Sequence, residues 1–185
     1  GFFYCILISS MIKKHHIVIP LVAIMIGISS FLLPVIHHAQ AAGFTVNTFG
    51  ASSDDADFIA GDGVCDTNDS VGDGPCTLRA AIEELNALGG SGHTIGFTFG
   101  GVITLTTQLP TINVGMTIDG TTFPGVSCDM NSRNIPVEID LNNLHTPFVV
   151  AAPFTTIKRL TLYHVNNSSA LTFNAGSNNS FVLCN

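Results

Sequence analysis

The run Cys76-Thr77-Leu78-Arg79-Ala80-Ala81-Ile82-Glu83-Glu84-Leu85-Asn86-Ala87 is a helix-length segment in a chain that otherwise reads almost entirely as short strands and turns. Leu78, Ile82 and Leu85 fall at i, i+4 and i+7 and form one apolar helix face. Thr77 stands where an N-cap belongs. Gly89-Gly90 stops the helix. Glu83 is expected to face away from the buried side. A lone helix beside many strands needs a role, and covering the open end of a stack is a natural one.

The strand-like runs are short and are joined by Gly, Asn, Pro and Thr. They span residues 44–48, 94–99, 102–105, 116–119, 137–141, 148–150, 156–162, 170–173 and 181–183. Two architectures compete on this pattern: an antiparallel sandwich and a parallel β-helix. The joins lack the tight Asn-Gly and Asp-Gly hairpin signals of antiparallel pairs. Asn recurs at strand ends (Asn113, Asn142, Asn143, Asn166, Asn167, Asn174, Asn178, Asn179), where it tolerates the left-handed conformation of a corner. Ile118, Ile139 and Ile157 recur about every twenty residues, close to one coil of a solenoid. These features favour the β-helix.

Residues 1–41 are set aside as a secretory signal peptide. Lys13-Lys14 precede a long apolar core, Ile17 through Leu33, and Ala39-Gln40-Ala41 supplies small residues for cleavage before Ala42. The alternative is an uncleaved membrane anchor. Pro20, Ser29 and the Ala-x-Ala site favour cleavage. Gly1 to Ser10 would not normally open a signal, so Met11 is read as the true start.

From Ala42 onward, thirteen acidic residues face four basic ones (Arg79, Arg133, Lys158, Arg159), a formal charge of −9. Such a surface repels nucleic acid and anionic lipid. Cys65, Cys76, Cys128 and Cys184 remain after the leader, an even number suited to an oxidising compartment. Cys65 and Cys76 flank a Gly/Asp-rich loop and are expected to close it. The pairing of Cys128 and Cys184 stays open.

A resemblance sharpens the fold. A strand at Phe44-Thr45-Val46-Asn47-Thr48 is followed by the acidic loop Gly61-Asp62-Gly63-Val64-Cys65-Asp66 and the helix run Cys76-Thr77-Leu78-Arg79-Ala80-Ala81-Ile82. Next come Ile95-Gly96-Phe97, Ile103-Thr104-Leu105 and Leu109-Pro110. Met116-Thr117-Ile118-Asp119-Gly120-Thr121-Thr122 and Pro124-Gly125 follow. This order resembles the CSLREA-type domain near the N-terminus of secreted and surface right-handed parallel β-helix proteins. Ala80 departs from it, standing where the usual run has Glu. The resemblance implies an all-β solenoid of the pectin-lyase-like kind, a right-handed parallel β-helix with an N-terminal strand and one capping α-helix. Residues 42–92 would form the N-terminal cap and 93–185 the first coils. The chain ends in a strand-like run, so it is read as the N-terminal piece of a longer bacterial-type polypeptide.

Chemistry is sparse. Seven aspartates crowd the loop: Asp54, Asp55, Asp57, Asp62, Asp66, Asp69 and Asp73. Oxygen ligands at this density suit Ca²⁺, with Asp62, Asp66, Asp69 and Asp73 as the candidate set. The spacing is not an EF-hand: counting from Asp66, Val71 replaces the Gly and Thr77 the Glu. The rival is a solvated loop pinned by its disulfide. Arg79 is expected either to pair with a carboxylate of the preceding loop or to lie on the surface, the first being favoured. Asp119, Glu138 and Asp140, on neighbouring coils, are the carboxylates weighed for glycoside hydrolysis, and Lys158-Arg159 the cations weighed for a lyase. His93, His145 and His164 read as surface or turn residues. No catalytic residue is assigned, and no cofactor beyond the candidate Ca²⁺.

The sequence thus points to a secreted or cell-surface module, structural or adhesive, that binds glycans or surface proteins through its lateral face. No nucleic-acid partner is expected, and membrane contact only through the leader or a downstream anchor. The alternative is the N-terminal part of a polysaccharide lyase or glycoside hydrolase.

Overall fold

The computed structural model describes residues 40–50, 53–68, 74–122, 125, 134–144, 148–166 and 169–183. The leader core, Asp69, Asp73, Cys128, Arg133, His145, Asn167 and Cys184 lie outside the described residues. Among the described residues, ten strands and one helix follow in order: β1 (Gly43–Val46), α1 (Leu78–Leu88), β2 (Ser91–Phe97), β3 (Gly101–Thr104), β4 (Gly115–Asp119), β5 (Val137–Asp140), β6 (Phe148–Val150), β7 (Thr156–Lys158), β8 (Thr161–Tyr163), β9 (Leu171–Phe173) and β10 (Phe181–Leu183).

Every strand pair among them is parallel. Three sheets result, ordered β1-β2-β4-β7-β10, β3-β5-β8 and β6-β9. From β4 onward the chain visits the three in a fixed rotation: β4, β5, β6, then β7, β8, β9, then β10. An isolated bridge of Ile112 to Val150 adds the earlier round to the two-stranded sheet. From β2 onward, strands consecutive in sequence never pair with each other, which is why hairpin turn signals are missing.

Register places like side chains above one another. Phe44, Ile95, Ile118 and Ile157 align across the first sheet. The three isoleucines are fully buried. Ile103, Ile139 and Leu162 align across the second. The expected row of Ile118, Ile139 and Ile157 is thereby corrected: Ile139 belongs to a different sheet. Alternation along each strand decides only inward or outward, and cannot say which sheet an isoleucine joins.

A second correction concerns residues 156–162, expected as one strand. They form β7 and β8, separated by Arg159 in the left-handed conformation (φ 57°). Leu160 beside it is fully buried. The corner packs so closely that a Cβ on Gly120 would collide with the Arg159 carbonyl. Asn142, Asn143 and Asn179 also take positive φ at corners, as their short polar side chains allow.

Helix α1 begins as its sequence indicates. The Thr77 hydroxyl accepts the Ala80 N–H at 3.0 Å. Gly89 ends it at φ 70°, donating its N–H to Leu85. Leu78, Ile82 and Leu85 are fully buried in one apolar cluster with Val46, Ile95 and Ile118. The helix packs against β1 and β2. Among the described residues no helix is long and apolar enough to cross a membrane.

Candidate functional site

Two regions concentrate polar side chains: the loop docked on α1, and the outer face of the first sheet.

The loop is clamped to the helix by buried charges. Cys65 and Cys76 are disulfide-bonded, with Cα atoms 5.2 Å apart. Arg79 is buried and pairs with Asp54 at 2.8 Å. Its Nε also donates to the same carboxylate oxygen at 2.9 Å. The Arg79 tip donates further to the Thr107 and Gln108 carbonyls. The other Asp54 oxygen accepts the Thr106 N–H and hydroxyl and the Thr107 N–H. One ion pair thus joins loop, helix and the segment after β3. Asp54 is a structural anchor, not a solvated loop residue.

Glu84 is fully buried and accepts the N–H groups of Gly61 and Gly63. Glu83 does not face away: it is half-buried and accepts the Asp57 N–H at 2.8 Å. The helix therefore holds the loop with both carboxylates. Asn47, just after β1, grips the loop, accepting the Cys76 N–H and donating to the Gly74 carbonyl.

Asp57 has an unusual environment. Its Oδ1 accepts the Asp66 N–H at 3.1 Å, while Oδ2 is sealed from solvent with no hydrogen-bond partner among the described residues. Burial pushes its carboxyl up to about 6; the Asp66 N–H opposes this, and the charges of Glu84, Asp66 and Asp62 add to it.

Two of the four calcium candidates, Asp62 and Asp66, lie among the described residues. Asp62 is exposed and turns to the Val64 N–H, Asp66 is buried, and the other two candidates lie outside the described residues. Among the described residues no three His, Cys, Asp or Glu side chains are placed to hold a metal ion.

The second region is a groove of about 390 Å³ on the outer face of β1, β2 and β4, lined by Thr45, Thr94, Gly96, Thr117, Asp119 and Thr122. Parallel register stacks Thr94 on Thr117 and Thr156. No partner among the described residues engages the hydroxyls of Thr45, Thr94 and Thr117. Thr122 closes one end, bridging the Phe97 N–H and carbonyl. Asp119 pairs with Lys158 at 2.8 Å and accepts the Thr121 N–H and hydroxyl. Burial alone would raise its carboxyl, but the Lys158 and Thr121 bonds outweigh it and hold it below the ordinary value.

The carboxylates weighed for hydrolysis are divided. Asp119 lies on the first sheet, Glu138 and Asp140 on β5 of the second. Asp140 is engaged by the exposed His164 at 2.9 Å. Lys158 is spent on Asp119.

His93 corrects its expectation most clearly. It is 1% exposed, with Nδ1 taking the Ala42 N–H at 3.0 Å and Nε2 lying 2.7 Å from the Gly89 carbonyl. Sequence reasoning missed it, and missed Glu84 and Thr122 as anchors, whereas the expected pairing of Arg79 with a carboxylate of the preceding loop is made by Asp54. A histidine at an inward position of a strand was the available signal for the first.

These features define a compact mixed α/β fold with three parallel sheets and one helix. No protein-family profile, curated protein or solved structure matches the chain.

Proposed function

We propose that the chain is an exported cell-surface or extracellular module built as a right-handed parallel β-helix and related to CSLREA-type domains. It serves a structural or adhesive role and holds glycans in the lateral groove. The rotation of the chain through three parallel sheets supports the solenoid reading, each round being one coil. The helix and its clamped loop then cover the first coil. The disulfide supports an oxidising destination.

The observation that carries the binding role is the groove itself. Its walls offer threonine hydroxyls that no described residue engages and one carboxylate already neutralised by Lys158. Such a surface suits a neutral hydroxyl-rich ligand, because sugar hydroxyls both donate and accept as threonine does. No specific observation favours the polysaccharide-cleaving alternative, since the candidate carboxylates sit on two sheets.

The test is a titration of neutral oligosaccharides into exported protein, with Thr117→Arg as comparison. Thr117 points outward, so the arginine fills the groove and leaves the core intact. Binding by the parent chain, reduced at least about tenfold in the variant, supports the reading. Equal binding by both proteins, or none by either, overturns it.

A further inference from the structure

We propose that His93 is the receptor for the processed N-terminus, holding the α-ammonium group of Ala42 once the leader is removed. This rests on the export reading above.

The geometry is specific. Ala42 is the residue immediately before β1. Its N–H points at His93 Nδ1 at 3.0 Å, and its carbonyl accepts the Thr94 N–H at 3.0 Å. Ala41, one residue earlier, is exposed. The bond expected to be cut therefore joins an exposed residue to a half-buried one. An N–H directed at Nδ1 makes that nitrogen the acceptor, so the proton of the neutral ring sits on Nε2 and is donated to Gly89.

Hydrolysis of the Ala41–Ala42 bond by a leader peptidase breaks the C–N bond. Water gives its hydroxyl to the Ala41 carbonyl carbon and a proton to the Ala42 nitrogen. A further proton from solvent makes that nitrogen an α-ammonium with three N–H donors. One keeps the bond to His93.

The new charge also suits its place. His93 joins Ala42 to Gly89, the C-cap of α1. Helix C-termini carry partial negative charge and favour a cation. The last turn of α1 has no basic residue. The α-ammonium supplies the missing positive charge, held through the buried imidazole that the Ala42 N–H already reaches.

The experiment uses the full chain with its own leader, exported from a bacterial host. N-terminal sequencing is followed by labelling of amines with an acylating reagent near pH 7. Peptide mapping reads Ala42 and Lys158 separately. The expected result is a chain starting at Ala42 whose amine labels at least about tenfold more slowly than in the same protein unfolded in urea. His93→Ala should remove that protection and leave Lys158 unchanged, while His93→Asn, which restores an acceptor near Nδ1, should recover part of it. If the variants fail to fold, the folded-against-unfolded comparison and the imidazole ¹⁵N spectrum of the parent still decide. The spectrum should show a neutral ring protonated on Nε2. A chain that starts at Ala42 but labels equally fast folded and unfolded overturns the receptor role alone. A chain that starts elsewhere overturns the cleavage reading and the receptor role together.

Discussion

Arg79 and Asp54 form a buried ion pair 2.8 Å long across a sequence separation of 25 residues. It is the point where helix, acidic loop and the exit of β3 meet. The pair is valuable to the fold because its remaining donors and acceptors are also satisfied, by Thr106, Thr107 and Gln108. Removing one partner strands the other.

Asp54→Ala should therefore destabilise the protein by about 3 kcal/mol, as expected when a buried pair loses one member. The double variant Asp54→Leu with Arg79→Met should cost less than either single truncation. Denaturant unfolding of all three reads this. A single variant within about 0.5 kcal/mol of the parent would show that the pair is solvated in solution.

Ile82 lies at the centre of the buried helix face. Ile82→Ala should cost about 2–5 kcal/mol through lost burial and a residual cavity. Glu83 is unsuited as the neutral comparison because it holds the Asp57 N–H. Ala87 is exposed, and Ala87→Gln should change stability by no more than about 0.5 kcal/mol. Equal small effects at both positions in chemical unfolding would mean that α1 lies loosely on the strands.

Reducing the Cys65–Cys76 disulfide should lower stability by roughly 3 kcal/mol on chain-entropy grounds. Its sulfurs are buried, so reduction should be slow until the loop opens. Non-reducing peptide mapping of exported protein should find the pair joined. Free thiols at both positions in folded material would contradict the structure.

Asp57 should make stability depend on mildly acidic pH. Its carboxyl stands near 6 in the fold against an ordinary 3.8. The fold thus favours the protonated form. That contribution is present in full below the ordinary value and is lost as pH rises through 6. Asp57→Asn keeps an oxygen for the Asp66 N–H and cannot ionise. Its melting temperature should exceed the parent's at pH 7, with the gap closing toward pH 4. A gap that stays constant across this range would remove the assigned ionisation.

Local rules read much of this chain correctly. The helix, its Thr77 cap and its glycine stop are decided within a few residues, because capping bonds span three or four positions. The short loop between Cys65 and Cys76 made their pairing legible for the same reason. The groove was legible only in part: outward threonines follow from alternation, but their stacking needs strand register.

What the sequence determined by itself was therefore the kind of most elements and the apolar residues that each one buries. Tertiary structure alone decided which elements meet. It moved Ile139 into a different sheet from Ile118 and turned Arg159 into a corner. It also buried Glu84 and Asp54 against partners more than twenty residues away. His93 shows the reason most plainly. A histidine beside glycine and threonine has the local marks of a turn, yet it is buried because two distant backbone groups, Ala42 N–H and Gly89 C=O, satisfy both ring nitrogens. Burial of a polar group is a property of its partners, and in a parallel fold the partners come from other rounds of the chain.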